Sequence, residues 1–272
     1  MDRHHARDAG RLTVLFAALS MVFAASAQAE TGSANASDMS VHINLLGVAQ
    51  LDIDPQVPVG FDNATDATHQ QDSLPSFDAG DAFLHLSTGT LTTEAQYAPG
   101  ASFSAAGANV ELQNVDLSAV SALAQPLISL TADSIRSQSL VTGYCLPSRS
   151  GTRSAVDDIM FFSGFDRGNL FTGGDGGPTT GDDTSLNGVQ LSILGIPVPN
   201  IPEAPAPNTT IDLGQLGITG ATFILNERTI GGDGVSAASV SRNAMHLSMN
   251  VASLVTADVV FAHSDSALDC TQ

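Results

Sequence analysis

Lysine is absent from this sequence, and so is tryptophan. The nine basic residues are all Arg and stand against 28 acidic ones. So few cations exclude a surface that tracks nucleic-acid phosphates, and they disfavour attraction to an anionic membrane face. The only tyrosines are Tyr97 and Tyr144, so the aromatic platforms on which sugars stack are nearly missing. Charged residues make up 14% of the chain, and the strong helix formers Lys and Glu are scarce or absent. With 25 Gly and abundant Ser, Thr, Ala and Val, this composition points to an all-β chain. Beyond the N-terminal leader no stretch approaches the ~20 uninterrupted apolar residues of a membrane span.

What is present begins with that leader. Arg3, Arg7 and Arg11 precede the apolar segment Leu12 to Ala25, and the small-residue site Ala27-Gln28-Ala29 follows before Glu30. Residues 1–29 therefore read as a secretory signal peptide, and the expected location is periplasmic, cell-surface or extracellular. Removal leaves 243 residues with 6 basic and 26 acidic side chains, a net charge of −20. A chain of that length buries roughly 70 to 75% of its unfolded surface, enough for one core, so residues 30–272 are expected to form a single domain. Cys145 and Cys270 are an even pair in an oxidising compartment and are expected to form a disulfide. It would close a loop of about 125 residues and stabilise by ~4 to 5 kcal/mol in the chain-entropy model.

Period-two patterning marks the strands. It runs through MSVHINLLGVAQLDID, FLHLSTGTLTTEAQY, ANVELQNVDL, LISLTADSIRSQSLVTGYC, GVQLSILGI, ATFILNERTI, RNAMHLSMNV and ADVVFAHS. Three connections are expected to be loops: an Asp-rich one at 55–80, a Gly/Asp-rich one at 172–184 and a Pro-rich one at 197–208. The best helix candidate is Ser118 to Leu127, where Ser118 caps and Val120, Leu123, Ala124 and Leu127 share a face. Many short strands predict a mainly antiparallel two-sheet β-sandwich-like arrangement with long loops, with a β-helix as the alternative.

Two clusters are candidates for chemistry. In FILNERTIGGDGVSAASVSRNAMHLSM, Asn226, Glu227 and Arg228 end one apolar run while Asn243 and His246 interrupt the next. Regular alternation puts Asn226 and Arg228 opposite Glu227, and Asn243 opposite His246, so the five do not converge without a bulge. The expected role is structural: the two Asn satisfy turn backbone, and Glu227 pairs with Arg228, Arg242 or His246. Asp175, Asp182 and Asp183 could supply oxygen ligands to Ca²⁺, although Asp and Gly are also ordinary turn residues. Asp52, Asp54, Asp62 and Asp66 form a weaker group of the same kind. GxSxG, HExxH and CxxC are absent, and the mature His residues 42, 69, 85, 246 and 263 are scattered, so no enzyme is expected.

Several stretches resemble the choice-of-anchor P proteins, a family of exported bacterial surface proteins. They are Pro207-Asn208 before TTIDLGQLG, the strand end Leu225-Asn226-Glu227-Arg228, Asn243-Ala244-Met245-His246-Leu247, the final VVFAHSDSALDC and, upstream, LTADSIRSQS. The resemblance covers residues 83 to 272. Relatives usually carry Gln where this chain has Arg228 and Leu where it has Met245. The resemblance implies export and a surface setting, and it brings no catalytic activity with it. The functional expectation is an acidic all-β protein with a structural or adhesive role at or outside the bacterial surface. Its partner would be a cell-surface or extracellular matrix component, or a second copy. The alternative is a secreted hydrolase with a loop-built carboxylate or Ser/His site.

Overall fold

The alternation of small or β-branched side chains with polar ones becomes, in the computed structural model, sixteen antiparallel strands among the described residues, in two stacked sheets. Residues 30–45, 49–100, 104–121, 126–143, 179–234, 236–251 and 255–270 are described.

The first sheet holds β13 (Thr209–Ile211), β14 (Ala221–Gly232), β15 (Ala237–Val251), β16 (Val255–Asp269), β1 (Thr31–Leu45) and β2 (Ala49–Ile53) in that spatial order, with β3 (Val59–Ala64) also on β1. The second runs β12 (Ile196–Val198), β11 (Gln190–Ile193), β9 (Pro126–Gly143), β8 (Ser104–Val120), β6 (Leu84–Thr88) and β5 (Phe77–Gly80). β10 (Thr179–Asn187) joins it on β9, and β7 (Leu91–Ala98) pairs with both β8 and β4 (Thr68–Leu74). β16 lies over β8 and β9, β1 over β7 and β8, and β15 over β9. The arrangement is the expected all-β sandwich, and antiparallel pairing throughout sets aside the β-helix.

Inward residues of both sheets build one large core that includes Val41, Ile43, Leu86, Leu112, Leu117, Ile128, Phe223, Leu247, Val259 and Phe261. A smaller cluster of Tyr97, Ala106, Val141, Ala238, Val240 and Leu268 closes the other end. There Gly32 lies under the Tyr97 ring so closely that a Cβ would overlap it, and the Tyr97 hydroxyl donates to Glu30 at 3.2 Å. Near this smaller cluster the sheets meet through hydroxyls. Ser137 bonds Ser264 and Ser139 bonds Ser266, each at 2.8 Å and each buried.

Four neighbouring strands reverse their in–out phase along one row. Two consecutive buried residues interrupt the alternation at Asp38-Met39 in β1, Phe261-Ala262 in β16, Ala244-Met245 in β15 and Leu225-Asn226 in β14. The pairs Asp38/Ala262, Ala262/Ala244 and Ala244/Asn226 drop out of the ladders, while pairing on either side keeps the same offset. Asn226 has φ 52° and Ala262 φ 54°. A left-handed residue turns the following side chain to the face the preceding one occupied, and Asn tolerates that conformation better than most. β1, β15 and β16 thereby keep a buried face inward on both sides of the row.

Four sequence expectations need correction. Ser118–Val120 belong to β8 and Pro126-Leu127 to β9, so the described residues of that stretch are strand where a helix was expected; Ala119 pairs with Ile128 and both are buried, and cross-strand burial outweighs the helical spacing. The 55–80 connection contains β3, β4 and β5, whose polar side chains hide the strand pattern because both faces are largely exposed. The C-terminal part of 172–184 is strand β10. Pro197 does join a ladder, opposite Ser192, but on the edge strand β12 where its missing N–H costs nothing. Residues 1–29, Cys145 and Asp175 lie outside the described residues.

Candidate functional site

The phase reversal brings part of the polar constellation together. In β15 Asn243 and His246 stand three residues apart, and the break between them puts both on the outer face beside Glu227 of β14. The expectation that they face oppositely is therefore corrected: it holds for a regular strand, and this one slips phase at Ala244-Met245. Glu227 Oε2 accepts from Asn243 Nδ2 at 2.8 Å and from His246 Nδ1 at 2.9 Å. His246 Nε2 lies 2.9 Å from Asp258 Oδ1 on β16. On the other side, His263 Nδ1 donates to Asn243 Oδ1 at 2.7 Å, and its Nε2 lies 3.7 Å from Asp265. Asn35 Nδ2 then reaches Asp265 at 3.3 Å and Asp62 at 3.5 Å. A continuous polar chain thus crosses β14, β15, β16, β1 and β3 on one sheet face.

Asn226 lies apart from it. Asn226 is buried; its amide donates to Pro205 O at 2.7 Å and its carbonyl accepts from Thr184 at 3.2 Å. Arg228 is held through its backbone, whose N–H donates to Asn208 Oδ1 at 2.7 Å while its carbonyl accepts from the same side chain at 3.2 Å. Glu227 therefore pairs with His246, as one of the sequence alternatives had it. Arg242 is buried on the inner face and donates to Thr184 at 3.1 Å.

The remaining histidines follow the same logic. His42 contacts Asp52 across β1 and β2 and lies 3.0 Å from Ser40 Oγ. His69 sits 3.1 Å from Glu94 and His85 3.1 Å from Asp78. Every histidine among the described residues has a carboxylate beside it. Sequence reading missed Asp258, His263, Asp265 and Asn35 because cross-strand partners are fixed by register. Counting back from the GGDG turn pairs β14 with β15 and supplies half of that information.

Burial lowers the His246 pKa, but its contacts with Asp258 and Glu227 outweigh that and hold it above the usual histidine value. Asp38 is raised: burial dominates over the backbone N–H groups of Val57 and Gln56 that bond its Oδ1 at 3.3 and 2.9 Å. A shallow groove of about 240 Å³ on the same outer face is lined by His42, Asn44, Gln50, Asp52, Thr256 and Asp258, among others.

Asp182 and Asp183 are consecutive in β10, opposite Ser139 and Gln138. Of the weaker group, Asp52 and Asp62 bond His42 and Asn35, and Asp54 and Asp66 accept through their backbone carbonyls from Gln56 and Thr68. Among the described residues no group of three or more His, Cys, Asp or Glu is placed to hold a metal. None of them is a free cysteine. No helix among them is long and apolar enough to cross a membrane.

No family model and no curated protein matches the chain. Among solved structures, Ail, the attachment invasion locus protein of Yersinia pestis, aligns over 88% of this chain and 99% of its own, at 5% identity and a TM-score of 0.18. Similarity at that level carries neither fold nor function.

Proposed function

We propose that the protein is an exported, acidic β-sandwich that makes structural or adhesive contacts at or outside the bacterial surface through the outer face of its first sheet. What supports the reading is that face itself, where polar side chains from neighbouring strands form one connected surface beside a shallow groove. The leader at residues 1–29 and the resemblance to choice-of-anchor P proteins support export and a surface setting. The partner would be an envelope or matrix component, or a second copy of the chain.

The test is binding of the purified mature chain to bacterial envelope fractions and to itself, by sedimentation and interferometry. Ser37→Arg and Ser241→Arg place bulk and positive charge on partly exposed outer positions of β1 and β15. Both variants are expected to stay folded by circular dichroism and to lose binding at least tenfold. Binding unchanged in both would exclude the outer face as the contact surface. Substrate turnover abolished by Glu227→Gln or His246→Ala would replace this reading with that of a secreted hydrolase.

A further inference from the structure

His246 is the one histidine whose two ring nitrogens both meet carboxylates at hydrogen-bond distance among the described residues, Nδ1 to Glu227 and Nε2 to Asp258, each at 2.9 Å. A carboxylate only accepts, so each nitrogen must carry a proton for both bonds to exist, and the ring that satisfies both is the imidazolium. The three groups belong to three successive strands, β14, β15 and β16. We propose that His246 is a proton-operated clasp: charged, it ties Glu227 and Asp258 together across the outer face, and on losing a proton it releases one of them.

The geometry also says which end opens. A neutral imidazole keeps one N–H, and its bare nitrogen would face a carboxylate lone pair to lone pair. Glu227 is 31% exposed and also accepts from Asn243, whereas Asp258 is 63% exposed and rehydrates readily. The proton therefore stays on Nδ1, and the contact with Asp258 is the one that breaks. Asp258 stands opposite His42 on β1, which in turn stands opposite Asp52 on β2, and all three line the groove. Release adds an unpaired carboxylate to the wall of that groove. The charged groups that face the clasp are thus Glu227 from β14, Asp258 from β16, His263 through Asn243, and His42 and Asp52 beyond Asp258; Arg242, on its own strand, points into the core. None of this depends on what the face binds.

A histidine held above its unfolded value contributes stability in full below that unfolded value, near 6.5, and loses it as pH rises through the folded value. Nitrogen-15 and proton shifts of the histidine rings, followed in the full mature chain from about pH 5 to about pH 9, test the clasp. His246 is expected to carry protons on both nitrogens at pH ~6.5, to titrate above an ordinary histidine, and to retain the Nδ1 proton on the alkaline side. Glu227→Gln and Asp258→Asn should each bring its midpoint down. The melting advantage of the wild type over His246→Gln should shrink from pH 6 to pH 9. A His246 midpoint at or below ~6.5, or one that neither carboxylate variant moves, overturns the proposal. If His246→Gln does not fold, the two carboxylate variants still decide the matter.

Discussion

Asn226 does two jobs at once. It adopts the left-handed conformation that β14 needs at the phase reversal, and it satisfies Pro205 O and Thr184 in the interior. Asn226→Ala leaves a buried carbonyl without its donor and puts a Cβ-bearing residue without local hydrogen bonding at φ 52°, so urea unfolding should show a loss of about 2 to 4 kcal/mol. Asn226→Gly keeps the conformation and loses only the hydrogen bonds, so its loss should be smaller. Asp38 occupies the same row on β1 and is fully buried. Its folded-state pKa lies above the unfolded value near 3.8, so the fold is penalised once that carboxyl ionises. The penalty is absent below the unfolded value and grows as pH rises through the folded one. Asp38→Asn keeps an acceptor for Val57 and Gln56 and cannot ionise; the stability difference between variant and wild type should therefore move in the variant's favour as pH rises through that window. A difference independent of pH would mean that the Asp38 carboxyl titrates in the fold as it does in the unfolded chain.

At the scale of elements, the cross-sheet serines show what a paired buried polar group contributes. Ser137→Ala or Ser264→Ala alone strands the other hydroxyl between the sheets and should cost about 1 to 2 kcal/mol. The double variant removes both partners, so its cost should fall well below the sum of the singles; additive losses would mean that the two hydroxyls do not bond. The long strands were legible because one face of each is apolar, as in Val41, Ile43 and Leu45 of β1. The three short strands in 55–80 were not, since a segment exposed on both faces carries no amphipathic signal. The helix expected at Ser118–Leu127 rested on four apolar residues at helical spacing, yet the described ends of that stretch, Ser118–Val120 and Pro126-Leu127, belong to paired strands. The Glu227–His246 contact was among the sequence alternatives, but the company of Asn243 was ruled out by strict alternation. Nothing short of the row Asn226, Ala244, Ala262 and Asp38 predicts the slip, because the two left-handed residues in it are Asn226 and Ala262, and alanine gives no sign of that conformation.

The whole molecule is held by two sheets whose ladders join segments far apart in sequence, β1 to β16 above all. A bridge between Cys145 and Cys270 would add a covalent link near the end of β16, where Cys270 N donates to Ser236 O at 2.7 Å. Non-reducing peptide mapping of exported material is expected to find that link, and two free thiols would refute it. With those cysteines oxidised, single cysteines placed along β15 report directly on the sheet-wide phase reversal from which the outer polar chain follows. Labelling with a thiol-reactive fluorophore in the native state should be fast at positions 241, 243, 246 and 248 and slow at 242, 244, 245 and 247. That pattern has one slip, between 244 and 245. Unbroken alternation, with 245 and 247 labelled as fast as 241 and 243, would contradict the reversal and disperse the site.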